Sequence, residues 1–174
     1  MTLIHTALFS EAKPLISYFQ LKQYDTKPYK IFKNKQIVLI VSGIGKKHTK
    51  EALKWVFSHY DFTQSFNIGT AGCSDTNVQI GSFFCSNQTL KNTDFLPLIT
   101  VDDPQITLKS TATLYDMEAQ YFEELCLEYL NPKNIFVFKI VSDHCSDAIL
   151  GKEFVYNTIY ATISQWSHFL NGHE

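Results

Sequence analysis

Two short stretches of the chain hold carboxylates in positions where they could do acid–base chemistry. Asp116-Met117-Glu118-Ala119 places two acids around a methionine at the predicted start of a helix. Ser142-Asp143 follows the apolar pair Ile140-Val141 at the end of a predicted strand. Acids at the ends of core elements, rather than on solvated faces, are those that enzymes use to move protons. The plainer alternative is that Asp116 caps the helix and Asp143 caps a loop.

A third acid, Glu11, lies just after the first predicted strand. Residues 3–9 are apolar and partly β-branched, which indicates a strand, and Ser10 can cap a helix that runs through Leu15 and Phe19. Glu11 then falls in the first turn of that helix, near the carboxyl end of the strand. It could face a pocket there, or it could only complement the helix dipole.

Two strands that are predicted to be buried each end in a loop of small residues. Residues 36–41 are apolar on both faces and lead into Ser42-Gly43-Ile44-Gly45-Lys46, and residues 65–70 end in Gly69-Thr70-Ala71-Gly72. Neither stretch has the spacing of a P-loop or of a dinucleotide-binding fingerprint. A single Gly-x-Gly is usually only a turn, but two such ends favour a ligand site, because ligands bind at the carboxyl ends of strands in open α/β sheets.

The rest of the chain alternates between strand and helix patterns. We predict a hairpin over residues 29–41, strands over 78–87 and 135–141, and helices over 47–59, 117–130 and 152–170. Residues 88–115 are polar and broken by Pro97 and Pro104, which predicts a loop with one edge strand around 105–108. If the sheet is parallel at 135–141, that strand brings Ser142-Asp143 to the same edge as the glycine-rich stretches.

Composition is typical of one globular domain covering residues 1–174. The chain is 45% hydrophobic and 18% charged, which is enough to build a core. Its net charge is -2 and no basic cluster stands out beyond Lys46-Lys47, so nucleic acid is not expected as the main partner. No apolar run approaches the roughly 20 residues that span a bilayer, and the N-terminal residues do not resemble a signal peptide.

The cysteines and the basic residues limit which metal and anion sites the chain can form. The four cysteines form no C-x-x-C pair, so we expect no zinc site and a cytoplasmic protein with reduced thiols. All 15 basic residues are lysines. Without arginine, the chain cannot form the bidentate clamps that hold phosphate or carboxylate groups.

Six short motifs in order give the chain a family resemblance. They are Ala7-Leu8-Phe9-Ser10-Glu11-Ala12, Val41-Ser42-Gly43-Ile44-Gly45-Lys46, Asn67-Ile68-Gly69-Thr70-Ala71-Gly72, Ile80-Gly81-Ser82-Phe83, Asp116-Met117-Glu118-Ala119 and Ile140-Val141-Ser142-Asp143. Together they resemble the nucleoside phosphorylase/nucleosidase superfamily. The branch they resemble most is that of methylthioadenosine/S-adenosylhomocysteine nucleosidase and futalosine hydrolase.

The resemblance implies a fold and an assembly. The fold is a three-layer α/β/α sandwich around a mixed, mostly parallel twisted sheet. The nucleosidases of the superfamily are commonly dimers, so a homodimer is expected. The ligand is a small purine nucleoside, and no cofactor or metal is implied.

The resemblance also implies roles for particular residues. Glu11 matches the glutamate that activates the attacking water, and Glu118 matches the one that accepts hydrogen bonds from the 2′- and 3′-hydroxyls of the ribose. Asp143 matches the acid that protonates N7 of the purine, with Ser142 supporting it, and Met117 lies against the sugar. The matched residues that line the ribose and base are Phe9, Ser42, Gly43, Ile44, Thr70, Ala71 and Gly72.

These residue types suit the cleavage of a purine N-glycosidic bond. That reaction needs an acid on the leaving base, a water activated on the opposite face of the ribose, and support for an oxocarbenium-like sugar. An aspartic acid that donates a proton near neutral pH has to be sheltered from water. Because phosphorylases hold phosphate with arginines, the lack of arginine favours water as the nucleophile.

One departure leaves two alternatives open. The segment between Asn87 and Asp116 is much shorter than in typical members, where it supplies aromatic stacking on the base, part of the pocket and an additional helix. The first alternative is a phosphorylase that uses Lys46 or Lys139 in place of arginine. The second is a catalytically silent protein that binds nucleosides or serves as a scaffold.

Overall fold

The computed structural model describes residues 1–103, 109–145 and 151–171, and these residues form nine strands in a single mixed sheet. The strands are β1 (Thr2–Thr6), β2 (Lys22–Asp25), β3 (Lys30–Lys33), β4 (Ile37–Val41), β5 (Gln64–Cys73), β6 (Phe83–Cys85), β7 (Leu98–Thr100), β8 (Leu114–Asp116) and β9 (Ile135–Asp143). The helices are α1 (Phe9–Tyr18), α2 (Lys46–His59), α3 (Ala119–Cys126) and α4 (Lys152–Trp166), with 3-10 turns at Pro132–Asn134 and Ser167–Asn171.

Four parallel strands form the centre of the sheet, in the order β4-β1-β5-β9. Their residues are almost all buried, as expected of parallel strands with helices on both faces. Antiparallel strands complete the sheet: β3 and β2 beyond β4, β6 beyond β9, and β8 beside the end of β5. The carboxyl ends of β1, β4, β5 and β9 therefore meet at one edge.

Helices cover both faces of the sheet. One apolar core contains residues of α1 and α4 and the even-numbered side chains of β9, such as Phe136 and Phe138. The other contains residues of α2 and α3 and the odd-numbered side chains Ile135 and Val137. The alternation follows from the two-residue period of a strand. The predicted three-layer α/β/α class is confirmed.

Several predicted elements are confirmed with changed bounds. The hairpin at 29–41 is β3 and β4, and the helix at 47–59 is α2. The helix predicted over 117–130 is confined to α3, and the last helix continues as a 3-10 turn after Trp166. Only Phe83–Cys85 forms a strand within 78–87, and the strands β2, β7 and β8 were not predicted. The edge strand predicted around 105–108 lies outside the described residues.

Two local predictions were wrong for physical reasons. Ser10 does not cap α1, because the helix starts one residue earlier, with Leu8 as its N-cap. The stretch Gly69–Gly72 is not a loop but part of β5, which extends to Cys73 because it pairs with β9 along this length. Pairing between strands thus overrides the turn preference of the glycines.

Two properties of the described residues bear on environment. Every helix in residues 1–103, 109–145 and 151–171 is too short or too polar to cross a membrane. The four cysteines all lie within these residues and are free thiols, three of them buried and Cys145 half-buried.

Lys27-Pro28 is a cis peptide bond at the turn between β2 and β3.

Candidate active site

A buried lysine ammonium lies among the acids near the carboxyl ends of the parallel strands. Lys139, on β9, is almost fully buried, and its Nζ forms an ion pair of 2.8 Å with Asp116 Oδ2. Burial alone would lower the pKa of Lys139, but the carboxyls of Asp116, Glu118 and Glu11 outweigh it and raise the pKa. The lysine therefore stays charged, and three acids from two parts of the chain interact with its charge.

Asp116 holds the ion pair in a fixed geometry. Its Oδ1 accepts a hydrogen bond of 2.7 Å from the Thr100 hydroxyl, and its Oδ2 accepts one of 2.9 Å from the Ala119 amide at the start of α3. The prediction that Asp116 is the N-cap was wrong, because the N-cap of α3 is Glu118, but the Asp116 side chain still accepts a hydrogen bond from the first amide of the helix. However, Asp116 also ends β8 and neutralises Lys139, which the capping interpretation did not include.

Glu11 is buried at the start of α1 and bonds in two directions. Its Oε2 accepts a hydrogen bond of 2.9 Å from the Leu8 amide, and its Oε1 lies 3.1 Å from the Thr70 amide nitrogen and 3.4 Å from the Thr70 hydroxyl. Burial raises the pKa of Glu11, although these donors and Lys139 oppose the shift. Glu11 thus stabilises the N-terminal end of α1, as the helix-dipole interpretation expected, and it is also bound to β5 through Thr70.

Glu118 lies opposite the loop that follows β4. Its Oε1 accepts a hydrogen bond of 2.8 Å from the Gly45 amide, 73 positions away in sequence. Gly45 has a φ of +87°, which favours glycine and turns the amide toward the carboxylate. Burial raises the pKa of Glu118 to about 7, against the opposing effects of Lys139 and the Gly45 amide. The acid can therefore change its charge near neutral pH.

Gly69 allows Glu11 and Lys139 to approach each other across β5. A Cβ atom built on Gly69 would lie 3.0 Å from Glu11 Oε1 and 3.5 Å from Lys139 Nζ. Gly69 pairs directly with Lys139 in the β5–β9 register. A side chain at this position would push the two charged groups apart.

Asp143 lies farther along the same strand as Lys139. The two residues are four positions apart on β9, which corresponds to about 13 Å along a strand. Asp143 is half-buried, pairs with Gly72 of β5, and accepts a hydrogen bond of 2.7 Å from the Ser142 hydroxyl. The same Ser142 oxygen is 3.2 Å from the Ala71 carbonyl oxygen, so the serine links Asp143 to the end of β5.

The other predicted residues lie around these acids at the same edge. Met117 is half-buried between Asp116 and Glu118. Phe9 is half-buried on Phe32, with ring centroids 5.8 Å apart, while Ile44 is 48% exposed. Ser42 is buried, and Gly43 has a φ of +96°.

Sequence reasoning missed two residues of the cluster. Lys139 was considered only as a phosphate ligand, although a single lysine in the apolar run Ile135–Ile140 is a signal of a buried ion pair. His5 was not considered at all. Its ring is fully buried between Ser42 and Asn67, at 2.9 Å from Ser42 Oγ and 2.7 Å from Asn67 Nδ2. A histidine inside an otherwise apolar first strand is the corresponding signal.

Comparison with solved structures identifies the fold as that of nucleoside phosphorylases and nucleosidases. The methylthioadenosine/S-adenosylhomocysteine nucleosidase of Helicobacter pylori, solved with butyl-thio-DADMe-Immucillin-A, aligns with a TM-score of 0.81 at 12% identity, covering 99% of this chain and 98% of that one. Futalosine hydrolase of Helicobacter pylori aligns with a TM-score of 0.80 at 12% identity, over 99% and 97% of the two chains.

A plant enzyme has the same architecture. The 5′-methylthioadenosine nucleosidase of Arabidopsis thaliana aligns with a TM-score of 0.79 at 17% identity, covering 99% of this chain and 96% of that one. No protein-family model matches the sequence, and no curated protein sequence matches it either. The likeness therefore establishes the fold, at identities too low to establish an activity.

Proposed function

We propose that the protein hydrolyses the N-glycosidic bond of a purine nucleoside, releasing the free base and a ribosyl product. The observation that supports this most is the convergence of Glu11 and Glu118 on Lys139, with Asp143 farther along the same strand. Hydrolysis of this bond needs a base for water, a partner for the ribose hydroxyls and an acid for the purine. The three acids supply these functions at one edge of the sheet.

Glu11 is the proposed base that activates water. Its carboxylate is held from two sides by the Leu8 and Thr70 amides, which fixes its direction. Burial raises its pKa, so the ionised carboxylate binds a proton more readily than an exposed glutamate does. The water that attacks C1′ of the ribose gives its proton to Glu11 as the bond to the base breaks.

Glu118 is the proposed ribose ligand. Its Oε1 is taken by the Gly45 amide, which leaves Oε2 to accept hydrogen bonds from the 2′- and 3′-hydroxyls. A carboxylate near the ribose also stabilises the positive charge that develops on the sugar. Met117, next to it in sequence, supplies an apolar surface beside the ring.

Asp143 is the proposed acid for N7 of the purine. Its half-buried position gives it access to a ligand, and the Ser142 hydroxyl holds one carboxyl oxygen. Protonation of N7 neutralises the negative charge that would otherwise build up on the departing base. Gly72 allows Asp143 to approach β5 closely, because a Cβ on Gly72 would lie 3.2 Å from Asp143 Oδ1.

The substrates named for the solved neighbours set the order of testing. Those neighbours are nucleosidases for methylthioadenosine and S-adenosylhomocysteine, and a futalosine hydrolase. Purified protein is incubated in phosphate-free buffer with methylthioadenosine, S-adenosylhomocysteine, aminodeoxyfutalosine, adenosine and inosine, and the free base is measured. The proposal fails if none of them releases base at stoichiometric enzyme.

The role of Glu118 has its own prediction. Glu118→Ala and Glu118→Gln remove the charge that binds the ribose, so we expect kcat/KM to fall at least about 100-fold, as for loss of a charged hydrogen-bonding group in a transition state. Glu128→Gln is the control, because Glu128 is an exposed acid after α3. An unchanged rate in the Glu118 variants would remove Glu118 from the reaction.

The same assay distinguishes the two alternatives. A strict dependence of base release on added phosphate would indicate a phosphorylase. Lys139 is not expected to bind phosphate, because three acids already interact with its charge. Lys46, at the start of α2, has its Nζ 5.3 Å from the centroid of the Tyr121 ring. Thermal stabilisation by a nucleoside without turnover would indicate a silent binding protein.

A second copy of the chain is the proposed wall on the base side. The short 88–115 segment includes the exposed Phe95, and its strand β7 is paired only with β8 among the described strands. Analytical ultracentrifugation with and without a nucleoside tests this. A homodimer is expected, and a monomer that retains full activity would contradict it.

A further inference from the structure

We propose that His5 is a positioning residue, which fixes the 42–45 loop so that the Gly45 amide is held against Glu118. The importance of this for turnover rests on the proposed function, in which Glu118 binds the ribose. The geometry itself does not depend on any ligand. His5 is part of a buried chain of hydrogen bonds that connects Asn67 on β5 with Gly43 in the loop.

The direction of the hydrogen bonds follows from the donors present. Asn67 Nδ2 is a donor and lies 2.7 Å from His5 Nδ1, so Nδ1 is the unprotonated nitrogen. His5 Nε2 then carries the hydrogen and donates over 2.9 Å to Ser42 Oγ. The Ser42 hydroxyl in turn donates over 2.7 Å to the Gly43 carbonyl oxygen. Each group donates to the next, from the sheet toward the loop.

This direction of the hydrogen bonds does not fit a nucleophilic serine. Ser42, His5 and Asn67 have the residue types of a hydrolase triad, but a nucleophile must donate its proton to the histidine. Here the histidine donates to the serine, and all three side chains are buried. Burial and the nearby charge of Lys139 lower the pKa of His5 to about 3, so the ring stays neutral and keeps this arrangement at physiological pH.

The chain of bonds ends where the loop approaches Glu118. The Ser42 and Gly43 amides donate to the carbonyls of Thr6, the last residue of β1, and of Ala7, which follows it, each over 3.0 Å. The Gly43 carbonyl is oriented by Ser42, and two residues later the Gly45 amide donates to Glu118. Gly43 and Gly45 have no Cβ, so beyond these two backbone hydrogen bonds the loop has little intrinsic preference for one conformation. His5 supplies the missing restraint from the core.

The ionisation of Glu118 depends on the position of the 42–45 loop. The groups that act on its ionisation are Lys139, Asp116, Glu11 and the Gly45 amide. Of these, only the amide belongs to the loop, and it favours the ionised carboxylate. Loss of this donor should therefore shift the ionisation of Glu118 toward higher pH while the other three groups stay in place.

The first test needs no substrate. In the isotopically labelled full chain, the carboxyl carbon of Glu118, the Gly45 amide and the His5 ring nitrogens are followed by NMR from pH 5 to 9. In the wild type we expect the Nε2–H form of His5, with no titration. His5→Leu and Ser42→Ala should each raise the midpoint of Glu118 and move the Gly45 amide signal, and the double variant should do no more than either single change.

The second test uses turnover. His5→Leu should raise KM about tenfold at pH 7 with a smaller change in kcat, as expected when a hydrogen bond to a ligand-binding carboxylate is lost. This rise in KM should be smaller at pH 9, where Glu118 is ionised in both proteins. His5→Gln, whose amide can still donate toward Ser42, should recover part of the effect. Ile163→Ala, a core change on the far face of the sheet, controls for lost stability.

The outcomes separate the inference from the proposed function. If the wild type cleaves no nucleoside, the proposed function fails and the NMR result still decides the role of His5. If the wild type is active but His5→Leu leaves the Glu118 midpoint, the Gly45 signal and KM unchanged, the inference alone fails. An Nδ1–H ring, or a ring that titrates near pH 6.5, would also overturn it.

Discussion

At the scale of single residues, the site is a group of buried acids around one buried cation. Lys139 neutralises Asp116 directly, and its field extends to Glu11 and Glu118. One ammonium cannot fully compensate three ionised carboxyls, so burial raises the pKa of both Glu11 and Glu118. Such a site is costly for folding, which is typical of functional positions.

The cost of Glu118 can be measured as a dependence of stability on pH. Its pKa is about 7 in the folded protein and near 4.5 when unfolded, so its favourable contribution is complete below pH 4.5 and is lost as the pH rises through 7. Glu118→Gln should therefore match the wild type at pH 4 and exceed it at pH 8, by up to about 3 kcal/mol. Urea unfolding at both pH values measures this.

The matched control is Glu124→Gln, which removes an exposed acid on α3. Glu124 pairs with Lys50 at the surface, and its contribution is expected to be within about 1 kcal/mol at either pH. A Glu118→Gln protein that is less stable than the wild type at pH 8 would contradict the assigned burial of Glu118.

The Lys139–Asp116 pair makes a second prediction at this scale. Lys139→Met leaves Asp116 buried without its cation, so we expect a loss of about 3–5 kcal/mol in the free energy of unfolding. Adding Asp116→Asn should recover part of the loss, because the unpaired charge is then gone. Both are measured by urea unfolding at pH 7.

The surface pair Lys50–Glu124 is the reference for this experiment. Its partners are 34% and 46% exposed, at a separation of 2.9 Å that is almost the same as in the buried pair. Lys50→Met should cost no more than about 1 kcal/mol. Equal losses for Lys50→Met and Lys139→Met would mean that burial does not distinguish the two pairs.

At the scale of elements, β5 is the strand on which the site depends. It pairs with β1 on one side and β9 on the other, and near its end it also pairs with β8. Because Gly69 has no side chain, Glu11 of α1 and Lys139 of β9 both lie close to the same face of the strand at this position. The missing side chain of Gly69 thus leaves the space in which these two charged groups lie.

A single methyl group tests this arrangement. Gly69→Ala would place a Cβ at 3.0 Å from Glu11 Oε1, so Glu11 or the strand has to move. We expect a loss of about 1–3 kcal/mol in stability, as for overpacking of a core, together with a fall in nucleosidase activity. Gly151→Ala is the control, because a Cβ at Gly151 would meet nothing within 4 Å, and it should cost no more than about 1 kcal/mol for its position as the N-cap of α4. A fully active Gly69→Ala would contradict the close approach.

At the scale of the whole molecule, the sheet separates two cores with different roles. The core under α1 and α4 is rich in aromatic rings, and the core under α2 and α3 lies on the face of Lys139 and contains Phe122, whose ring centroid is 5.5 Å from that of His5. Phe138 lies in the first core. The rings within about 6 Å of its centroid are Phe66, Phe83, Phe136, Trp166 and Phe169.

Changes in the first core should affect stability but not ligand recognition. Phe138→Ala removes a fully buried ring and should cost about 3–5 kcal/mol. Trp166→Phe should cost clearly less, because the indole nitrogen of Trp166 is buried without a hydrogen-bond partner and the phenyl ring removes that group. Urea unfolding measures both. A large change in KM for folded Phe138→Ala would contradict the separation of the two faces.

The order of elements and the positions of the acids could be predicted from the sequence because they depend on local patterns. Apolar runs predicted the central strands, and Glu11 falls in the first turn of α1 as expected. Short strands such as β7 and β8 could not be predicted, since their three residues form strands only through pairing with each other and with β5. The end of β5 was mistaken for a loop for the same reason.

By itself, the sequence determined the α/β architecture, the edge at which the carboxyl ends of the central strands meet, and the lack of any arginine. Only the tertiary structure decided which groups neutralise one another. Lys139 forms an ion pair with Asp116 of another strand, and Glu118 accepts a hydrogen bond from an amide 73 positions away. Both contacts form because packing brings distant segments into an interior without water, where charges must be paired. Such pairings leave no periodic signal in the chain, so the sequence alone could not predict them.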